Sequence, residues 1–197
     1  MTIVACVLRS GGDFRPEHVD RLRMQVAAHL PGAEFRCLTD MPVSGSGVLP
    51  LRCGWPGWWS KMEIFSPDVS GDLLMMDLDS AIVGDLGDMA GIGRLAIMRD
   101  VYRPAGLQSS VMFLPKAARG EVWGKWISNP GAWMRRFRRG GDQAFLETLW
   151  LDRAARWQDV LPGQVVSFKA DRCAEQLPQD ARFVAFHGRP RPWDVGW

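Results

Sequence analysis

Four apolar residues, Leu73-Leu74-Met75-Met76, run straight into Asp77-Leu78-Asp79. An unbroken apolar run of this length reads as a strand covered on both faces, the kind found in a sheet packed between helices. Its acidic end falls where open α/β sheets bind ligands, at the carboxyl end of a central strand. In an extended segment residues i and i+2 point to the same side, so the spacing predicts that Asp77 and Asp79 face one site. Two carboxylates together make a hard-oxygen site for Mg²⁺ or Mn²⁺. Without a cation they repel, and one would hold its proton. The competing reading is a pair of solvated acids in a turn.

The rest of the chain fits such a sheet. Residues 2–8 form an apolar, β-rich run that ends at Arg9-Ser10-Gly11-Gly12-Asp13. Pro16 opens a helix with Val19, Leu22, Val26 and Leu30 on a helical period, and Pro31-Gly32 stops it. Glu34 to Leu38 reads as a second strand, which completes a strand–helix–strand unit of a parallel sheet. Residues 41–56 read as loop and Trp58 to Phe65 as a short helix. Residues 80–83 continue apolar as far as the turn at Gly84-Asp85. Further strands are expected at 94–98, 110–114, 165–168 and 183–186, and helices at 116–128, at 131–139 and after Gly140-Gly141. The reading is one α/β domain over residues 1–197, with a mixed, mostly parallel central sheet flanked by helices.

Composition narrows the functional classes. The 197 residues carry a formal net charge of +2, too small an excess for a general nucleic-acid binder. Twenty arginines stand against four lysines, which suits planar recognition of phosphate or carboxylate. Ten tryptophans suit a core and also platforms for a sugar or base ring. Trp55, Trp58 and Trp59 are weighed as an acceptor groove against packing of a loop. Trp123, Trp126 and Trp133 are read as helix packing. None of the four cysteines forms a C-x-x-C pair; Cys6 and Cys37 lie in strand-like runs and read as buried free thiols, which suggests a reducing compartment. The N-terminal apolar run is too short for a signal segment and no run approaches a membrane span, so a soluble, cytoplasmic chain is expected.

Two further segments carry candidate chemistry. His187 follows an apolar strand directly, with Arg189 and Arg191 close behind it. A neutral imidazole there could complete a metal site and an arginine could hold phosphate oxygens; the bland alternative is a basic tail. Asp142-Gln143 opens a helix, where an acid favours the helix dipole or, functionally, brings a carboxylate and an amide to the sheet's mouth. The basic run Arg135, Arg136, Arg138 and Arg139 around Phe137 reads first as a solvated helix face, and second as a patch for phosphate or an anionic membrane.

Taken in order, these segments resemble the GT-A-fold (Rossmann-like) glycosyltransferases, in particular glycosyltransferase family 8 and its small bacterial relatives. Trp58-Trp59-Ser60-Lys61-Met62-Glu63-Ile64-Phe65 resembles the W-x-K-x-x-x-F helix of that family, and Leu73 to Asp79 its apolar strand with D-x-D. Ser109-Ser110-Val111-Met112-Phe113 resembles the acceptor-side strand and Asp142-Gln143 the D-Q helix start. His187 through Trp193 resembles the C-terminal H-x-x-G-x-x-K-P-W segment. The resemblance implies that Asp77, Asp79 and His187 bind Mn²⁺ or Mg²⁺, which bridges the diphosphate of a UDP-sugar. It implies that Lys61 and Arg191 neutralise the phosphates beside Asp77 and Gly188. Leu8, Arg9 and Ser10 would hold the nucleoside, and Asp142 and Gln143 would act catalytically at the donor sugar. It further implies transfer with retention, to a glycan, lipid-linked or protein acceptor.

The chain departs from the pattern in places. Gln108 stands where Asn is common, Ser110 where Gly is common, and Arg191 where Lys is usual. The loop after His187 is shorter, with Gly188 directly following. Two other readings stay open at this stage. One is a phosphohydrolase of the haloacid dehalogenase type, with Asp77 as nucleophile, although Ala81 stands where Thr or Val would follow. The other is a non-catalytic nucleotide- or glycan-binding domain.

Overall fold

The computed structural model describes residues 2–197. Its frame is a seven-stranded sheet in the order β3-β2-β1-β4-β7-β6-β8, made of Val48–Pro50, Glu34–Thr39, Ile3–Leu8, Leu73–Met76, Leu107–Leu114, Ala96–Arg99 and Ala155–Arg156. β3, β2, β1 and β4 pair parallel; β7 alone runs against its neighbours β4 and β6, while β6 and β8 pair parallel. This is the mixed, mostly parallel sheet that the apolar runs imply.

Side-chain parity along β1 explains why its sequence is apolar throughout. Val4, Cys6 and Leu8 pack with Leu74, Met76, Val111 and Phe113 beneath α1 (Pro16–His29). Ile3 and Ala5 point the other way, with Leu73, Met75, Met112 and Leu114, against Trp59, Trp126 and Phe145. Both faces are therefore covered over β1, β4 and the inner half of β7, Val111 to Leu114, and those positions are apolar. Cys6 lies opposite Cys37 across the parallel pair, and both are buried free thiols. Burial and the neighbouring Cys37 push the Cys6 thiol well above its ordinary value.

The second face is covered by α3 (Lys116–Ile127), α5 (Gly141–Trp150) and the segment Gly57–Phe65. This last is a 3₁₀ helix of nine residues, longer than most. All of Trp59 to Phe65 is buried, so the short helix that the sequence suggests is wound tightly between sheet and helices, with no solvent-facing side past Trp58. Trp59 stacks on Trp126, and Trp55 meets the same ring edge-on, which settles both as core residues. Trp126 and Trp133 both pack on Phe145, and Trp123 lies against Trp55, as helix packing predicts. Arg119, buried in α3, donates to the carbonyls of Ile64, Val69 and Gly71 and ties the loop before β4 to the body.

Residues 80–83 do not extend β4. Ser80–Ile82 is a separate strand, β5, in a small three-stranded sheet of order β5-β10-β9, with β9 at Val165–Ser167 and β10 at Phe183–Ala185. Phe168 and Phe186 stack beside it, and Trp197 meets both rings edge-on. α4 covers Pro130–Arg136 and α6 Trp157–Val160; α2 is one turn, Gly87–Ala90. Among the described residues no helix is long and apolar enough to cross a membrane.

Candidate active site

One cavity of about 710 Å³ opens at the carboxyl ends of β1 and β4. β7 reaches the same edge because it is antiparallel: its first residues, Gln108 to Ser110, lie where β1 and β4 end. The Asp77 amide donates to the Ser110 carbonyl at 2.8 Å and continues that pairing one residue past β4. Asp77 and Asp79 are in a turn rather than in extended chain, closed by the Ser80 amide on the Asp77 carbonyl at 3.2 Å. The turn exists because the chain must leave one sheet for the other. Arg21 on α1 clamps it, donating to the carbonyls of Leu78 (2.7 Å) and Ser80 (2.9 Å). Both carboxylates still line the cavity.

Lys61 is the hub of the floor. Its Nζ lies 2.7 Å from Asp77 Oδ1, 3.3 Å from Asp142 Oδ2 and 3.2 Å from Ser109 Oγ, and its side chain is only 11% exposed. An ammonium has three protons, and the protein supplies three partners. Lys61 therefore organises two carboxylates, whereas the resemblance gave it the phosphates. Ser109 Oγ in turn donates to Asp142 Oδ2 at 2.8 Å. Burial is opposed by the two carboxylates, which hold the Lys61 pKa above its ordinary value. Burial, with Lys61 opposing and the charges of Asp79 and Asp142 adding, pushes Asp77 up to about 7. Burial also raises Asp79, against the pull of Arg191 and Lys61.

Gly140 and Gly141 bring α5 to the cavity with Asp142 and Gln143 in its first turn. Gly141 adopts φ +62°, and a Cβ there would lie 2.9 Å from Trp58 Nε1, so a side chain would be both strained and crowded. Gln143 Nε2 donates to Asp100 Oδ2 at 3.1 Å. Trp58, by contrast with Trp55 and Trp59, is 54% exposed and lines the cavity.

The nucleoside end follows β1. Arg9 and Ser10 line the cavity; Leu8 does not. Leu8 shares the parity of Val4 and Cys6 and is fully buried under α1, and Val7 faces the cavity in its place. Asp40, just past β2, carries no motif in the sequence. It accepts from the Ser10 amide (2.8 Å) and lies 3.0 Å from Arg9 Nη1, fixing that loop. Burial works to raise its pKa, but the Ser10 hydrogen bonds and the Arg9 charge bring it below the usual carboxylate value. The only sequence signal was an acid directly after a strand.

The C-terminal segment is ordered and built into the wall. The Phe186 amide donates to the Asp79 carbonyl, and Trp193 stacks on His18 of α1 at 3.7 Å and 8°. Phe14 meets Trp193 edge-on, and Arg21 lies over the same ring. Between these anchors His187, Gly188 and Arg191 line the cavity. Arg191 Nη1 pairs with Asp79 Oδ2, and its guanidinium lies over the Phe14 ring at 5.0 Å. His187 turns toward the small sheet: its Nε2 is 2.7 Å from Ser167 Oγ, and Tyr102 packs edge-on against it. Burial and Lys169 lower the His187 pKa against the pull of Asp100, which favours the neutral ring.

The ligand set expected for a divalent cation is not assembled by this arrangement. Asp77 is paired with Lys61, Asp79 with Arg191, and His187 with Ser167. Among the described residues no three His, Cys, Asp or Glu side chains converge on one point. The residues do not fit a metal as they stand.

Solved structures share this architecture. GlyE, a glycosyltransferase of Streptococcus pneumoniae TIGR4, superposes with a TM-score of 0.70 at 16% identity over 98% of this chain. The galactosyltransferase LgtC, in complex with donor and acceptor sugar analogues, matches with a TM-score of 0.69 at 11% identity over 98% of this chain. WbbM, a bifunctional glycosyltransferase, matches with a TM-score of 0.61 at 12% identity. The chain spans 56% of the GlyE chain, 89% of LgtC and 46% of WbbM. No family model and no curated protein matches the sequence. The fold of this chain is the GT-A fold of those glycosyltransferases.

Proposed function

We propose that the protein transfers a sugar from a nucleotide-sugar donor, a UDP-sugar, to an acceptor that enters past Trp58. The observation that carries this reading is the Asp77–Lys61–Asp142 network on the floor of a cavity at the strand ends of a GT-A fold. Nothing comparable is needed to stabilise a sheet edge. Three carboxylates and two cations held at 16% exposure or less, apart from Asp77 at 25%, cost desolvation that only a polar ligand makes useful.

Each residue has a part. Arg9 and Ser10, fixed by Asp40, meet the nucleoside. Arg191 meets the diphosphate, whose negative charge grows as the bond to the anomeric carbon breaks; a fixed guanidinium stabilises that charge without reorganising. Asp142 and the Gln143 amide oxygen face the sugar as it passes through an oxocarbenium-like state, and the Lys61 and Ser109 contacts hold the Asp142 carboxylate in place. Lys61 is a positioning residue. Transfer proceeds with retention of the anomeric configuration, a reading supported by the resemblance to family 8.

The test is nucleotide release from a panel of UDP-, GDP- and ADP-sugars, with and without simple glycoside acceptors. UDP release that rises with an acceptor, giving a product whose anomeric proton coupling matches the donor, supports the reading. Nucleotide binding without turnover on any donor would leave a non-catalytic binding domain.

A further inference from the structure

We propose that Arg191 takes the place of a divalent cation at the D-x-D turn, so that the donor diphosphate binds this protein without metal. The inference rests on the donor-site reading above and specifies how that site holds its phosphates.

A divalent cation needs the carboxylate oxygens of the turn and further hard donors around them. Here the cation at Asp79 is already covalently part of the chain. Arg191 pairs with Asp79 through Nη1, and the residue is held from both sides rather than swinging freely. Upstream, the Phe186 amide is bonded to the Asp79 carbonyl; downstream, Trp193 is stacked on His18. The Arg191 amide donates to Asp194 Oδ2 at 2.9 Å, and the Phe14 ring lies under the guanidinium. The same short path turns His187 away: with only three residues between His187 and Arg191, the imidazole meets Ser167 while the guanidinium enters the cavity.

The guanidinium also has capacity left. A guanidinium carries five N–H donors. Nη1 is engaged by Asp79, Nη2 stands 3.9 Å from Asp13, and Nε is buried with no hydrogen-bond partner among the described residues. A buried donor without a partner points to a ligand that supplies one. The fork geometry suits two oxygens of one phosphate, which a lysine at this position would meet only as a point charge. Lys61 meanwhile neutralises Asp77 and Asp142, so the incoming diphosphate does not face bare carboxylates.

The experiment is calorimetric titration of UDP into the full chain, in EDTA and in excess Mn²⁺, with Mn²⁺ binding followed separately by electron paramagnetic resonance. The proposal predicts dissociation constants within about threefold of each other in the two buffers. Arg191→Ala should weaken UDP binding in EDTA by about 30-fold and open Asp79 to Mn²⁺, so that a bound-Mn²⁺ signal appears that the parent lacks. Arg191→Gln keeps most of the side-chain volume and should show the same loss, which separates charge from misfolding. UDP binding by the parent that requires Mn²⁺ would overturn the proposal and leave the donor site standing. No UDP binding in either buffer by folded protein would overturn both.

Discussion

On the floor of the cavity every charged side chain has a fixed partner. Lys61 joins Asp77 to Asp142, and Arg191 joins Asp79. The mouth is different. Trp58 is 54% exposed, and Arg139 lines the cavity with no carboxylate partner among the described residues. The floor has met its desolvation cost during folding, so its charges are aimed before a ligand arrives. The mouth is exposed and its arginine is unpaired among the described residues, so little desolvation is needed before a partner arrives, which suits acceptors of varied shape. A site that binds one invariant group, the nucleoside diphosphate, and one variable group, the acceptor, has reason to be built this way.

That contrast can be broken from either end. The largest expected effect is Lys61→Ala, which leaves buried Asp142 and half-buried Asp77 without their shared cation and should cost about 3–5 kcal/mol of stability in chemical denaturation. Asp142→Asn keeps the side-chain shape but removes one charge from the buried Lys61 network, so it should cost about 1–3 kcal/mol of stability and lower kcat by about 100-fold, with nucleotide affinity retained. Trp193→Ala removes the ring stacked on His18 and should cost about 1–2 kcal/mol, loosen Arg191 and weaken UDP binding in proportion. At the mouth, Trp58→Ala and Arg139→Ala should each change stability by less than about 0.5 kcal/mol. Trp58→Ala should raise the acceptor KM with donor affinity unchanged.

The pH dependence sharpens the same comparison. Asp77 is raised from 3.8 to about 7 in the folded, ligand-free chain. The folded state thus holds this proton more tightly than the unfolded one. Its contribution to stability is complete below pH 4 and is lost as pH rises toward and through 7. Asp77→Asn removes that loss, so its melting temperature relative to the parent should rise by a few degrees between pH 5 and pH 8, read in EDTA. No comparable pH-dependent gain is expected from Trp58→Ala.

The sequence showed the floor better than the mouth, and strands better than turns. Apolar runs disclose β1, β4 and β7 because both sheet faces are covered, and Asp77, Asp79, Asp142, Gln143, His187 and Arg191 all line one cavity with Arg9 and Ser10, whereas Leu8 does not. Leu8 was misplaced because a strand buried on both faces gives no alternation from which to read parity. The D-x-D pair was expected in extended chain because residues 80–83 are apolar too; nothing local says that they join a second sheet closed by β10 more than one hundred residues later. Lys61 was assigned to phosphate because its partners, Asp77, Ser109 and Asp142, come from three separate elements. Asp40 was passed over for the same reason, since its role depends on the parallel pairing of β1 with β2.

The most direct test of the donor-site account is a crystal structure of the full chain grown with UDP. The account predicts the diphosphate within hydrogen-bond distance of the Arg191 guanidinium and the uridine against Arg9 and Ser10, with Lys61 still joined to Asp77 and Asp142. UDP bound elsewhere on the surface, or a cavity without nucleotide at saturating UDP, would contradict it.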